Sequence, residues 1–332
     1  MSRLLLLLMR FWWVNHKQTF RQEFGGKYMW CPKRNKRGNQ NHFWETMREV
    51  RPGDLVLSYA GAAVQGFGFA KTHCYSCPRP DEFGKVGEAW ISTGWRVDVD
   101  FQRFSSPFRT IGNMENLAGL LPRKYSPIKN DGQGNQNYLS EVSEAFVRRL
   151  AELAEPMLLA MLNNNVLLDN QDSIEVEIAP IVEWEELEQK KIEAVSEIPE
   201  TQRKALVYAR RGQGLFKENV SRFEHACRIT HVDNPTHLIA SHIKPWRESS
   251  NEERLHGGNG FLLTPSVDHL FDRGFITFAD DGELVISPIA DELSLSRMGV
   301  PVNEPTGVGR FNSDQKHFLE YHRQEIFLQS AS

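Results

Sequence analysis

The sequence predicts a mixed α+β protein with two domains. Strand-length apolar segments separated by glycine and proline fill the first hundred residues, and a segment with helical spacing of apolar residues follows. After an interval rich in acidic residues, helical and strand-like segments begin again. A chain of 332 residues is long enough for two domains. We predict domains at 1–162 and 205–332, with an acidic helical linker at 163–204.

The first domain is predicted to consist mainly of strands. The segment FWETMREV (43–50) predicts a short helix, and Arg51-Pro52-Gly53-Asp54 predicts the tight turn that follows it. Residues 137–162 predict a helix that closes the domain. Between them, the predicted strands are DLVLSYA (54–60), GFGFAKTHCY (66–75) and WRVDVDF (95–101).

A short leucine-rich run lies near the N-terminus. Leu4–Met9 follows Arg3 as in a signal peptide, but Arg10 interrupts the run and no small-residue cleavage site follows. The run is also much shorter than the roughly 20 apolar residues of a membrane span. We therefore expect a first strand here and no membrane partner. The chain has only 4 cysteines, which indicates a reducing, cytoplasmic setting.

The charge is unevenly distributed along the chain. Residues 1–130 contain 20 Lys and Arg against 10 Asp and Glu, whereas the chain as a whole has a net charge of −4. A basic front half attracts polyanions, although charge alone does not identify a nucleic-acid binder. The predicted linker has 11 acidic and 4 basic residues. Its segment EWEELEQKK (183–191) predicts a charged helix, which serves either as a spacer or in pairing of two chains.

The second domain contains a pattern that suits metal-assisted hydrolysis. His242 ends a predicted strand, and Asn259 lies in a glycine-rich turn. Asp268 and Asp272 are four residues apart on a predicted helix, so both carboxylates lie on one face. Two hard oxygen ligands opposite an imidazole suit Mg²⁺, with Mn²⁺ as a substitute. In such a site the imidazole accepts a proton from water while the metal stabilises charge on a phosphodiester.

These residues lie in segments that resemble the HNH, or ββα-metal, nuclease module of bacterial restriction endonucleases. The similar segments are CRIT (227–230), SHIKPW (241–246), NGFLL (259–263), DHLFDRGFITF (268–278) and FLEYHRQEIF (318–327). The resemblance implies that His242 is the general base and that Asn259 fixes the loop that holds it. It also implies that Asp268 and Asp272 face the metal.

Three positions depart from the HNH pattern. Ser241 occupies a position that is often a metal ligand, and we include it in the metal site as a weaker ligand. Asp268 stands where a final histidine is expected, with His269 beside it as the alternative. Thr230 replaces the second cysteine of a zinc-binding pair, so we expect no structural zinc. Two further side chains are predicted to contact the DNA backbone, unless they are surface charges: Lys244 and Arg273.

The first domain resembles the EVE family, whose PUA-like barrels hold a modified or flipped base in an aromatic pocket. The similar segments are FWWVNHKQ (11–18), YMWCPKRNKRGN (28–39), VRPGDLVLSY (50–59), GFGFAKT (66–72) and GWRVDVDF (94–101). The predicted pocket residues, each of which could instead be barrel core, are Trp30, Tyr59, Trp95, Asn15 and Ser58. The predicted phosphate contacts are Lys33, Arg34, Lys36 and Arg37.

Together the two resemblances imply a modification-dependent (type IV) restriction endonuclease. Such an enzyme flips a modified cytosine out of double-stranded phage DNA and cuts nearby. The first choice of base is 5-hydroxymethylcytosine, followed by 5-methylcytosine or a glucosylated form. Cutting both strands implies a homodimer or two visits by one chain. Two alternatives stay open: a modified-base or RNA-binding protein with an inactive HNH domain, and a nuclease that does not require modification.

Overall fold

The computed structural model describes residues 9–88, 90–163, 179–303 and 306–329. These residues form two compact units, the first from 9 to 163 and the second from 179 to 329. Each unit mixes helices and strands, so the fold class is α+β as predicted. No helix in the described ranges is both long enough and apolar enough to cross a membrane.

The first unit is built on a sheet in which the described strands follow the order β2-β6-β4-β3-β1-β7, with β5 also paired to β6. The strands are β1 (Phe11–Asn15), β2 (Tyr28–Pro32), β3 (Leu55–Ala60), β4 (Ala63–Ala70), β5 (Tyr75–Pro78), β6 (Thr93–Arg109) and β7 (Leu139–Val142). The helices are α1 (Phe20–Gly25), α2 (His42–Glu45), α3 (Gly84–Gly87), α4 (Met114–Leu117), α5 (Glu144–Ala154) and α6 (Pro156–Asn163).

Two features of this sheet position the candidate base-binding residues. Strands β1 and β3 are parallel, with Val14 opposite Ser58 and Asn15 opposite Tyr59. The ends of both strands therefore lie side by side. Residues of α5, among them Phe146, pack on the apolar side chains of β1, β3 and β4 and form the core of this unit.

The single helix predicted at 137–162 is wrong in its first part. Residues Leu139–Val142 form β7, which pairs antiparallel with β1. Ser143 then begins α5, because its hydroxyl accepts a hydrogen bond from the N–H of Phe146. The helical stretch also divides at Pro156, which has no N–H with which to continue the preceding helix. The predicted first strand at Leu4–Met9 lies almost entirely outside the described residues.

The second unit contains two antiparallel hairpins and six helices among its described residues. The strands are β8 (Ile239–His242), β9 (Gly260–Leu263), β10 (Ile276–Phe278) and β11 (Leu284–Ile286). The helices are α7 (Ala179–Ala194), α8 (Glu200–Arg210), α9 (Gly214–Val220), α10 (Pro265–Asp272), α11 (Glu292–Arg297) and α12 (Ser313–Glu325). The segment from β8 to α10 has the order strand, strand, helix.

The described part of the predicted linker belongs to the second unit. Its charged helix is present as α7. Ile192 of α7 is buried in the same apolar cluster as Leu206 of α8 and Phe216 of α9. Ion pairs join the same helix to the rest of the unit. The residues from 179 to 204 therefore pack as part of this unit rather than as a separate spacer.

Candidate active site

His242 is the last residue of β8 and lies half-buried against α9. Its imidazole stacks on the ring of Phe216, with centroids 3.8 Å apart and planes 6° apart. The hairpin partner of His242 is Gly260. A Cβ at Gly260 would lie 2.8 Å from the ring of Phe216, so glycine leaves the space that this ring occupies. The hairpin and α9 together fix the plane of the imidazole.

The hydrogen bonding of His242 selects one tautomer. Its Nε2 lies 3.0 Å from the backbone carbonyl oxygen of Arg254. A carbonyl can only accept, so Nε2 carries the proton and Nδ1 of the neutral ring carries the lone pair. Burial lowers the pKa of His242 to about 4, against the opposing effects of the Arg254 carbonyl and the charge of Asp272. The ring is therefore neutral at pH 7 and able to accept a proton at Nδ1.

Asn259 is fully buried and joins two parts of the loop that follows His242 through three hydrogen bonds to the backbone. Its Oδ1 accepts a hydrogen bond from the N–H of Lys244 at 2.8 Å. Its Nδ2 donates to the carbonyl oxygens of Lys244 at 3.2 Å and Glu253 at 3.1 Å. Glu253 immediately precedes Arg254, whose carbonyl binds His242. The amide thus holds both the chain that leaves β8 and the chain that orients the imidazole.

Asp268 on α10 lies beside Ser241 of β8, and the charge of Asp272 acts on Asp268. The hydroxyl of Ser241 donates a hydrogen bond to Asp268. Burial, opposed by this bond and assisted by the nearby charge of Asp272, raises the pKa of Asp268 to about 6. The charge of Asp272 also acts on His242. The predicted metal ligands therefore lie in one neighbourhood with the predicted base.

A divalent cation would need several donor atoms close together at this site. Within the described ranges, no group of three or more His, Cys, Asp or Glu side chains is placed to hold a metal ion. Two clustered carboxylates of like charge, with the Ser241 hydroxyl between strand and helix, nevertheless fit Mg²⁺, which typically binds one or two carboxylates and completes its shell with water and substrate phosphate. His269, the alternative to Asp268, is exposed on α10.

The two residues of this unit that are predicted to contact the DNA backbone, Lys244 and Arg273, differ in their surroundings. The ammonium of Lys244 binds both carboxylate oxygens of Glu253, at 2.9 and 2.7 Å. Lys244 would have to exchange Glu253 for a phosphate before it could bind DNA. Arg273 is half-buried, and its Nη1 is buried without a hydrogen-bond partner among the described residues.

Arg247 belongs to this site and was missed by the sequence analysis. It is 6 % exposed. Its pKa is raised because the charges of Asp272, Glu248 and Glu185 together outweigh the effect of burial. Its Nη1 lies 3.4 Å from Glu185 of α7. No local signal marks Arg247, because its partner Glu185 lies 62 positions earlier in the chain.

Six of the residues predicted for nucleic-acid binding in the first unit are buried: Trp30, Tyr59, Trp95, Asn15, Ser58 and Lys33. Trp95 is 1 % exposed, and both a lysine and an arginine lie against its ring, Lys33 at 4.2 Å and Arg48 at 4.9 Å. These contacts give Trp95 the alternative role of a core residue. Lys33 is 3 % exposed and donates to the hydroxyl of Ser76, so it would have to leave this partner before it could contact a phosphate.

Trp30 is likewise enclosed. It is 1 % exposed and packs against Phe83 and Trp90. Its Nε1 donates to the carbonyl oxygen of Cys77 at 3.4 Å. These contacts give Trp30 the alternative role of a core residue. The other predicted phosphate contacts lie nearer solvent: Lys36 and Arg37 are exposed, and Arg34 is half-buried.

The remaining predicted pocket residues lie together at the ends of β1 and β3. Ser58 is fully buried, and its hydroxyl has no hydrogen-bond partner among the described residues. Asn15 donates from Nδ2 to the carbonyl oxygen of Asn135 at 2.7 Å. The hydroxyl of Tyr59 accepts from the N–H of Gly134. A Cβ at Gly134 would lie 2.5 Å from the Tyr59 ring, so this loop needs a glycine to cover the tyrosine.

Three polar residues next to this group were not predicted. Glu23 is fully buried and accepts hydrogen bonds from the hydroxyls of Thr19 and Tyr138 and from the N–H of Trp30. His16 is 2 % exposed; its Nδ1 is 3.3 Å from Glu23, but neither ring nitrogen has an aligned hydrogen-bond partner in the described ranges. His16 follows Asn15 directly, which was the available signal. Tyr138 was missed because its segment was interpreted as helix.

Comparison with known proteins identifies a domain in the second unit. A family model described as HNH endonuclease matches residues 227–279. The chain therefore contains an HNH endonuclease domain there, and the matched residues include His242, Asn259, Asp268 and Asp272. The search of curated proteins gave no match.

Some solved structures resemble the N-terminal part of the chain, and each covers less than half of the whole chain. A hypothetical protein from Leishmania major is 14% identical, with a TM-score of 0.29, over 44% of this chain and 94% of its own. The ASCH protein from Zymomonas mobilis is 12% identical, with a TM-score of 0.26, over 44% and 96%. A protein from Pseudomonas syringae is 12% identical, with a TM-score of 0.30, over 43% and 98%. At these values the likenesses carry no information about function.

Proposed function

We propose that the second unit is a metal-dependent endonuclease in which His242 is the general base. The observation that carries this proposal is the hydrogen bond from Nε2–H to the carbonyl oxygen of Arg254, at 3.0 Å. It leaves the lone pair on Nδ1, where a neutral imidazole can take a proton from an attacking water. The pKa of about 4 keeps the ring in this form at neutral pH.

The other residues supply orientation and charge. Asn259 fixes the loop on either side of the base through its three backbone partners. Asp268, Asp272 and Ser241 would hold a divalent cation, Mg²⁺ or Mn²⁺. When bound, that ion would stabilise negative charge on the scissile phosphate and the departing oxygen. Phe216 excludes water from one face of the imidazole.

The proposal for the first unit is recognition of a modified cytosine in double-stranded DNA. It is supported by the buried hydroxyl of Ser58 and by Nε2 of His16, which lack hydrogen-bond partners among the described residues. Buried polar groups of this kind are usually satisfied by water or a ligand. A flipped base that carries a hydroxyl provides both donor and acceptor, which favours 5-hydroxymethylcytosine over 5-methylcytosine. Restriction of phage DNA in the cytoplasm, by a homodimer that cuts both strands, would follow from this activity.

The test is a cleavage assay on matched duplexes that carry cytosine, 5-methylcytosine or 5-hydroxymethylcytosine, with Mg²⁺ or Mn²⁺ present. His242→Ala is the catalytic variant, and His237→Ala, at an exposed histidine of the same unit, is its control. Cleavage confined to a modified duplex and lost only in His242→Ala supports both halves of the proposal. Equal cleavage of all three duplexes would retain the nuclease and reject the reader. Binding without cleavage in the wild type would indicate a binding protein with an inactive HNH domain.

A further inference from the structure

One face of helix α7, part polar and part apolar, packs on the rest of the second unit. Along its length, residues at helical spacing are buried or half-buried, whereas those between them are exposed. The packed face consists of Ile181, Trp184, Glu185, Glu188, Gln189 and Ile192. Two carboxylates thus lie on the face that an ordinary packed helix would make apolar. Glu186 lies on the exposed face of the same helix.

Both carboxylates pair with arginines of the nuclease unit, and Glu188 also pairs through its other oxygen with Lys191 of α7 at 2.7 Å. Glu185 lies 3.1 Å from Arg210 and 3.4 Å from Arg247. Glu188 lies 3.2 Å from Nη2 of Arg254. The side chains of Arg247 and Arg254 are only 4% and 6% exposed. A buried guanidinium needs such a partner, because removing one member of a buried pair leaves an uncompensated charge.

Arg254 connects α7 to the proposed catalytic base. Its guanidinium also donates to the carbonyl oxygen of Trp246 at 2.8 Å and to Asn251 at 3.0 Å. Its backbone carbonyl accepts the hydrogen bond from Nε2 of His242. The side chain therefore fixes the position of the same residue whose backbone fixes the tautomer of the imidazole.

We infer that α7 is part of the nuclease centre, and that Glu188 is a positioning residue that acts through Arg254 on the imidazole of His242. This inference rests on the proposed function, since it gives Glu188 a role in the same reaction. Without the carboxylate, the guanidinium of Arg254 keeps its contacts within the loop but loses its anchor outside it. The carbonyl that holds Nε2–H then moves with the loop, and the Nδ1–H tautomer becomes populated.

The test compares Glu188→Gln with Glu186→Gln, the same change on the exposed face, in the full chain. The first readout is the tautomer of His242, measured by long-range ¹H–¹⁵N correlation on histidine-labelled, metal-free protein, with the signal assigned by its loss in His242→Ala. We expect the Nε2–H tautomer in the wild type and in Glu186→Gln, and a mixture in Glu188→Gln. Glu188→Asp, which retains the charge, is expected to restore most of the wild-type signal.

The second readout is single-turnover cleavage of a modified duplex. Because a small displacement of a catalytic group costs rate rather than binding, we expect kcat to fall about tenfold in Glu188→Gln with KM little changed. An unchanged tautomer in folded Glu188→Gln would overturn the inference, as would equal effects of the two glutamine variants. If the wild type cleaves no duplex, the proposed function fails. The tautomer measurement then decides the positioning role by itself.

Discussion

Asn259→Ala is expected to destabilise the second unit strongly, because the amide is fully buried and serves three backbone groups. The N–H of Lys244 has Oδ1 as its acceptor and would be left without one. The two carbonyl oxygens keep other donors: the hydroxyl of Ser249 binds that of Lys244, and the N–H of His256 binds that of Glu253. Loss of the amide should therefore cost more free energy at the N–H of Lys244 than at either carbonyl oxygen.

The expected loss can be estimated group by group. A buried N–H without a partner costs about 1–3 kcal/mol, and each of the two further hydrogen bonds contributes about 1 kcal/mol net. The free energy of unfolding should therefore fall by about 3–5 kcal/mol. Asn219→Ala is the matched control, since Asn219 makes one such bond, to the carbonyl oxygen of Leu255 at 2.8 Å. Its expected cost is about 1 kcal/mol.

Hydrogen exchange of the amides in β8 and β9 measures this loss within the second unit, because protection there reports the free energy of opening. The same exchange in β1 and β3 of the first unit should not change. A loss below 1 kcal/mol in Asn259→Ala, or losses of equal size in the two variants, would show that the hydrogen bonds of Asn259 do not hold the loop.

Three further predictions concern charge and packing. The pKa of His242 is lowered from 6.5 to about 4 in the folded state, so the unfolded state binds more protons than the folded state between these two pKa values. Between pH 7 and pH 4 the free energy of unfolding should fall by about 3 kcal/mol more in the wild type than in His242→Gln, as measured by urea titrations. Phe216→Leu should lower the cleavage rate and destabilise the unit by about 1 kcal/mol, because the ring contact with His242 is lost. Lys33→Met should lower the melting temperature of the first unit without changing the salt dependence of DNA binding, since Lys33 is buried. Lys36 is exposed, so Lys36→Met should leave the melting temperature unchanged and reduce the salt slope of DNA binding by about 1.

The candidate nuclease residues could be predicted from the sequence because they are close together in the chain. A hairpin and the helix after it contain Ser241, His242, Asn259, Asp268 and Asp272 within about thirty residues. Turn and cap signals fix such local elements, and the spacing of two carboxylates on a helix fixes their common face. Their positions on these elements could therefore be predicted from local rules.

The surroundings of those residues could not be predicted, because they depend on contacts between distant segments. Arg247 resembles a surface arginine in the sequence, and only the position of α7 shows that Glu185 buries it. In the first unit, aromatic residues in the sequence predict where the strands lie, but they do not show which side chains cover each ring. Lys33 and Arg48 lie against Trp95, and neither contact has a sequence signal. Tyr138 was assigned to a helix because apolar spacing cannot reveal that β7 pairs with β1.

The restraints on His242 come from separate parts of the second unit, and each supplies a different requirement of a general base. Phe216, which precedes the matched HNH segment, sets the ring plane. The carbonyl of Arg254 selects the tautomer, and Asn259 holds the chain before that carbonyl. A base that has the right plane but the wrong tautomer cannot accept a proton at Nδ1, so neither restraint replaces the other. The catalytic role that we propose for His242 therefore requires α9, and by our inference Glu188 of α7, as much as the HNH motif itself.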